Sequence, residues 1–188
     1  MQAFYNKSRR CRQGFRREEE KVNQIDGKGI IHIDHKTIID SCVIQEERFQ
    51  FFSFGREDAL KLGMLLCEIA GRYQQGVAIA IEINGLRVFQ HVTEGAGRHN
   101  VEWLGRKINT VNQFGRSSLH TWAKFEQDGI TMEEERLDPA RFAMCGGGFP
   151  LNVRGVGQVG VIAVSGLPHL DDHQVIVDAL TEWFSKKH

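Results

Sequence analysis

Between residues 56 and 74, apolar side chains recur at the three- and four-residue spacing of one helical face: Ala59, Leu60, Leu62, Leu66, Ile69 and Ala70. Glu57 and Asp58 fall at the positive N-terminal end of that helix, and Gly71 and Gly76 break the pattern. Upstream, residues 37–49 place Ile38, Ile39, Cys42 and Val43 ahead of the charged Glu46, Glu47 and Arg48, which predicts a shorter helix. Residues 77–84 alternate instead, with Val77, Ile79, Ile81 and Ile83 on one face of a strand. Asn84-Gly85 supplies the positive φ angles of a tight hairpin, and Leu86–Val92 returns. Asn100 reads as the N-cap of a helix running to about Phe114, and a second helical stretch fits residues 118–127. Beyond Gly129 and the acidic Glu133, Glu134 and Glu135, short strands fit residues 141–145, 150–153 and 159–165, with Gly155-Val156-Gly157 turning between the last two. Asp171 followed by Gln174 has the spacing of a capping box for a closing helix that ends near Lys186. Hairpin-linked strands with helices before, between and after them predict an α+β domain built on an antiparallel sheet.

Composition narrows the classes open to such a domain. The 188 residues suit one domain, since chains split into several only beyond roughly 250–300 residues. With 41% hydrophobic and 26% charged residues the chain is that of a soluble globular protein, and disorder along its whole length is excluded. The net charge of zero excludes a general scavenger of nucleic acid or acidic lipid, which needs a basic excess. That zero conceals an asymmetry. Residues 1–34 carry 8 basic and 5 acidic side chains, and the first six charges in the chain are all positive: Lys7, Arg9, Arg10, Arg12, Arg16 and Arg17. This segment reads as a basic, flexible arm, with weak nucleic-acid contact or targeting as its functional alternatives, ahead of a single mildly acidic domain at 35–188. Cys11, Cys42, Cys67 and Cys145 are widely spaced and form no CxxC pair, which points to packing thiols in a reducing compartment. No stretch approaches the roughly 20 apolar residues of a membrane helix, and the start lacks a secretory apolar core, so the expected location is cytoplasmic, without a membrane partner.

Three places carry candidate chemistry. Trp103, Arg106, Lys107 and Thr110 share one helical face, where a ring beside two cations and a hydroxyl suits a carboxylate-bearing planar ligand; Ser117 extends that surface. Gly146-Gly147-Gly148 before Phe149-Pro150 lets backbone approach a ligand, or makes a tight corner between strands. It is neither a phosphate loop nor a dinucleotide fingerprint. Asp172 and His173 open the last helix and can line a cleft, while Pro168 and the Asp171 cap place His169 outside that helix and argue against an i, i+4 metal pair. No metal site is expected. Ser117 and Ser118 near His120 make no nucleophile elbow, and His91, His99, His120 and His173 are conceivable axial haem ligands that spacing does not separate.

Read together, the blocks Glu46-Glu47-Arg48-Phe49-Gln50-Phe51, Asn100 to Trp103 with Arg106 to Val111, Phe114 to Ser118, Gly146 to Pro150 and Val164 to Pro168 before Asp172-His173 resemble the UPF0303 family. That family lies within the wider GlcG-like and HbpS-like group of haem-degrading domains. The resemblance implies a PAS- or profilin-like fold, a five-stranded antiparallel sheet flanked by helices, assembly into homo-oligomers, and haem or a related tetrapyrrole as ligand in some members. On this footing the leading expectation is a small anionic ligand, a tetrapyrrole or a small carboxylate, bound by Trp103, Arg106, Lys107, Thr110, Ser117, Gly146, Gly147, Gly148, Asp172 and His173. An assembly module without catalysis, and a haem-modifying or metal-dependent enzyme with His173 as base or ligand, are the alternatives.

Overall fold

The computed structural model describes residues 23–25 and 31–186. The expectations for residues 1–22 and 26–30 lie outside the described residues, while β1 (Asn23–Ile25) and β2 (Ile31–Ile33) form an antiparallel pair with Gln24 opposite His32. There follow α1 (His35–Arg48), β3 (Gln50–Phe51), α2 (Arg56–Ala70), β4 (Ala78–Ile83), β5 (Leu86–Val92), α3 (Arg98–Phe114), α4 (Ser118–Asp128), β6 (Gly148–Val153), β7 (Gly157–Ser165) and α5 (His169–Ser185).

Five strands form the main sheet in the order β3-β6-β7-β4-β5, flanked by helices as the sequence predicts. Its fifth member is not the predicted one. The backbone near Ala143 is coil, because the Ala143 N–H and C=O both go to the Thr110 hydroxyl, at 3.1 and 3.0 Å, and not to a strand. The edge position belongs to Gln50–Phe51, which runs parallel to β6, so the sheet is antiparallel except at that edge.

The centre of the sheet is buried on both faces. Ile79, Ile81, Phe149, Leu151, Ile162 and Val164 meet α2 and α5, in a core that includes Leu62, Leu66, Ile176 and Leu180. Ala78, Ala80 and Ala163 on the other face meet Leu104, Ile108 and Val111 of α3. The strand residues facing α3 are small, three alanines and Val161, whereas those facing α2 and α5 are mostly large. A third cluster, Ile38, Cys42, Leu119 and Ala123, joins α1 to α4. Burying one side chain of the size of Phe149 contributes about 2–3 kcal/mol against leaving it in water.

Two helix starts differ from expectation. Gly97, not Asn100, is the N-cap of α3, and the Asn100 carboxamide reaches back to accept the Gly97 N–H at 3.0 Å. α5 begins at His169 with Pro168 as its cap, so His169 is inside the helix and Asp171 is not the cap. The side chain that reaches back is that of Asp172, which accepts the Leu167 N–H at 3.0 Å. The hairpin turn is as predicted, with Asn84 at φ 49° and Gly85 at φ 77°.

Candidate functional site

The predicted site residues divide into a buried set and a surface set. Lys107 faces the sheet from the inner side of α3 and is 2% exposed. Its ammonium donates to Asp172 Oδ2 at 2.7 Å and to the Val164 carbonyl at 2.9 Å. Asp172, also 2% exposed, accepts the N–H groups of Leu167 and, at 3.4 Å, Gly166. Burial pushes the Asp172 carboxyl above its ordinary range, and Lys107 and the two N–H groups draw it part of the way back. Lys107 is therefore no free cation for a ligand. Its charge is matched inside the protein, and the pair fastens α3 to the start of α5 across β7.

The glycine run fits around that pair. Gly147 has φ 106°, and a Cβ there would lie 2.4 Å from the Val164 carbonyl oxygen, 2.7 Å from Lys107 Nζ and 2.8 Å from Asp172 Cβ. At Gly146 a Cβ would meet the His169 carbonyl oxygen at 2.3 Å. Gly148 donates its N–H to Ser118 Oγ at 2.9 Å, under Val111. The three glycines thus form a tight corner that admits the Lys107–Asp172 pair and the first turn of α5.

His173 lies in the same interior, 3% exposed, with Nε2 2.8 Å from Gln45 Oε1 and Nδ1 without a hydrogen-bond partner. Burial pushes its imidazole down to about 4, so the ring is neutral near pH 7, with Nε2 as donor to the carboxamide oxygen. The neighbouring Glu46 is a residue whose role the sequence did not disclose. Its carboxylate takes the Ser117 N–H at 2.8 Å and approaches His120 Nδ1 at 3.1 Å. Burial works to raise that carboxyl, but the bonds from His120 and Ser117 outweigh it and hold Glu46 below its ordinary value. Ser117 serves as N-cap of α4, its Oγ accepting the His120 N–H at 3.2 Å. Cys42, beneath it, is buried and its thiol is pushed up to about 12. His169 continues this region outward: its ring lies edge-on to Trp122 at 4.7 Å, and Trp122 in turn meets His35 at 5.3 Å. Burial lowers the His169 imidazole as well.

Trp103 and Arg106 stay at the surface. The Arg106 guanidinium sits 4.8 Å from the Trp103 ring centroid, and the indole N–H donates to His99 Nε2 at 3.0 Å. Both residues are half-buried, and no described carboxylate pairs with Arg106. Thr110, expected on the same face, is fully buried and committed to Ala143. Structure thus brings together His99, Trp103 and Arg106, and separately Lys107, Gly146, Gly147, Gly148, Asp172 and His173. The second group is the packed interior on which the first rests. Sequence spacing had joined them because residues three and four apart share a helix face, but the width of that face spans both solvent and sheet.

A central five-stranded sheet with helices on both faces is an α+β fold shared with HbpS and PduOC. Residues 54–181 match the family described as haem degrading protein HbpS-like, and the chain belongs to that family. Its relatives include the UPF0303 proteins. One from Rhizobium etli is 40% identical over 142 residues, covering 76% of this chain and 87% of the relative. Another, from Streptomyces coelicolor, is 40% identical over 143 residues, covering 76% and 90%. Among solved structures, the Ybr137w protein matches with a TM-score of 0.72 at 26% identity, covering 79% of this chain and 88% of that one. HbpS itself matches in fold, with a TM-score of 0.57 at 22% identity over 74% and 94% of the two chains. A PduOC–haem complex matches in fold likewise, with a TM-score of 0.58 at 20% identity over 69% and 94%. No helix among the described residues is long and apolar enough to cross a membrane.

Proposed function

We propose that this protein binds a planar anionic ligand of the tetrapyrrole class, in the cytoplasm, on the face of α3 that carries Trp103 and Arg106. The observation that carries the reading is the half-buried guanidinium lying on an indole with no described carboxylate to neutralise it. An arginine held flat on an aromatic ring keeps its N–H fork for a carboxylate, while the adjoining indole surface takes an apolar ring system. The family description and a fold neighbour crystallised with haem support the choice of ligand class.

The residues present fit the carboxylate edge and ring of haem, and do not fit iron ligation from this face. His99 Nε2 already accepts the indole N–H, so in the neutral ring Nδ1 carries the proton and no lone pair is left over. His173 has a spare lone pair at Nδ1, but it is closed off by burial. The buried Lys107–Asp172 pair acts from below by fixing the register of α3 against β7, which sets where Arg106 stands.

Titration of the full chain with haemin, followed by absorbance and by quenching of tryptophan emission, tests this. Saturable binding should weaken about tenfold in Arg106→Ala and in Trp103→Ala, the loss of one charge-assisted contact or one stacking surface. A small dicarboxylate such as succinate should compete only weakly, because it lacks the ring. Binding that is unsaturable, or unchanged in both variants, refutes the proposal.

A further inference from the structure

We infer that Arg98 is a positioning residue for the ligand face of α3: it holds the Glu102 carboxylate away from Arg106 and so keeps that guanidinium open to an anion. The inference deepens the ligand reading above and rests on it. Three contacts, each between residues three or four apart, carry it. Arg98 Nε donates to Glu102 Oε1 at 3.0 Å. The Trp103 indole N–H donates to His99 Nε2, also at 3.0 Å. The Arg106 guanidinium lies 4.8 Å from the centroid of that pinned Trp103 ring.

The pairing of Glu102 is one of two that the helix allows. Glu102 is the one acidic residue of α3, and it stands four residues after Arg98 and four before Arg106. Residues at that spacing are neighbours on a helix surface, so one carboxylate serves two surface arginines. A glutamate with its cation four residues further on is the stronger orientation, because it agrees with the helix dipole. By that rule Glu102 belongs with Arg106. It is found on Arg98 instead, and two features account for this.

Arg98 is the first residue of α3 after its Gly97 cap, and the first turn holds no acid. The N–H groups at that end repel a cation, so Arg98 needs a carboxylate from the next turn. Arg106, at the other end of the choice, has the face of Trp103 as a partner that leaves its N–H fork unused. Remove Arg98, and the carboxylate is free to turn to Arg106, where an anionic ligand must displace it. The Arg98 side chain is 92% exposed and that of Glu102 50%, so this competition takes place in water and changes affinity by a small factor.

Haemin titration of the full chain tests the inference, with circular dichroism to confirm that each variant is folded. Arg98→Ala should weaken binding about threefold, the scale of one exposed ion pair. Arg98→Lys should bind as the parent does, since a lysine still reaches Glu102. In a Glu102→Gln background, Arg98→Ala should have no effect, because the competitor is gone. A direct contact between Arg98 and the ligand would give a loss that persists in that background. A second readout needs no ligand: the Arg106 Nε–H resonance, shifted by the Trp103 ring, should move in Arg98→Ala and return in Arg98→Ala with Glu102→Gln. Binding unchanged in Arg98→Ala, a loss that persists beside Glu102→Gln, or an unmoved Arg106 resonance overturns the inference and leaves the ligand reading standing. Haemin binding unchanged in both Arg106→Ala and Trp103→Ala overturns the ligand reading, and the inference with it.

Discussion

Replacing Lys107 by Met should destabilise the fold by about 3–5 kcal/mol, the usual cost of stranding one member of a buried ion pair. Met matches the length of the lysine stem, so little cavity opens in a site where Lys107 is 2% exposed, and the cost is electrostatic. The Asp172 carboxylate would keep only its two backbone N–H groups, one of them at 3.4 Å, and the Val164 carbonyl would lose its donor from Lys107. Adding Asp172→Asn removes the stranded charge while leaving an oxygen for the Leu167 N–H. The double variant should therefore lie only about 1–2 kcal/mol below the parent, on the scale of a lost neutral hydrogen bond. Urea unfolding of parent, both single variants and the double variant, read as a double-mutant cycle, measures this directly. The pH dependence adds a second signature. Asp172 has a folded-state pKa above its unfolded one, so its contribution to stability is fully present below the unfolded value and is lost as pH rises through the folded value. Removing Lys107 lifts the folded value further, so Lys107→Met should recover stability relative to the parent as the solution is acidified from neutrality. A cost below about 1 kcal/mol, typical of a solvent-exposed pair, or a double variant worse than Lys107→Met, would refute the account of this pair as a desolvated clamp.

Other outcomes follow from the same interior. Gly147→Ala should cost at least about 3 kcal/mol in chemical unfolding, because φ 106° strains an L residue and its Cβ would strike the fixed carbonyl of Val164; an effect like that of an exposed Gly→Ala change would contradict the structure. His173 is pushed down to about 4 from a reference of 6.5, so it binds fewer protons folded than unfolded. It stabilises fully above 6.5, and about 3 kcal/mol should be lost as pH falls from 6.5 towards 4; the slope attributable to it should vanish in His173→Gln when the two unfolding profiles are compared. Thr110→Val should cost about 1–3 kcal/mol, since it leaves both backbone groups of Ala143 without their partner, and hydrogen exchange at Ala143 should accelerate.

The pattern of the chain carried most of the secondary structure, because periodicity reports the local choice between a 3.6-residue and a 2-residue repeat. The α2 stripe and the β4–β5 hairpin with its Asn-Gly turn are local in that sense, and both are found where expected. The misplaced strand at residues 141–145 was illegible for the opposite reason. Ala143 is buried there without strand pairing, and its hydrogen bonds are taken by a threonine 33 residues away. Gln50–Phe51 is too short to show a period at all, and joins the sheet only because β6 offers it an edge.

The candidate site shows the same division. Types and positions of the residues singled out Arg106, Lys107, the glycines, Asp172 and His173, and the structure divides them, with Lys107, the glycines, Asp172 and His173 in the interior and Arg106 at the surface. What sequence alone determined was that these residues carry unusual demands: a cation amid apolar neighbours, three glycines in a row, an acid at the start of a helix. Only the tertiary structure decided which demand each one answers. Lys107 and Arg106 are adjacent in the chain, yet the helical turn of 100° between them places one against Asp172 in the interior and the other on Trp103 at the surface. Solvation then separates their roles, because a charge removed from water must find its partner within the fold, whereas a charge left half in water remains available to a ligand.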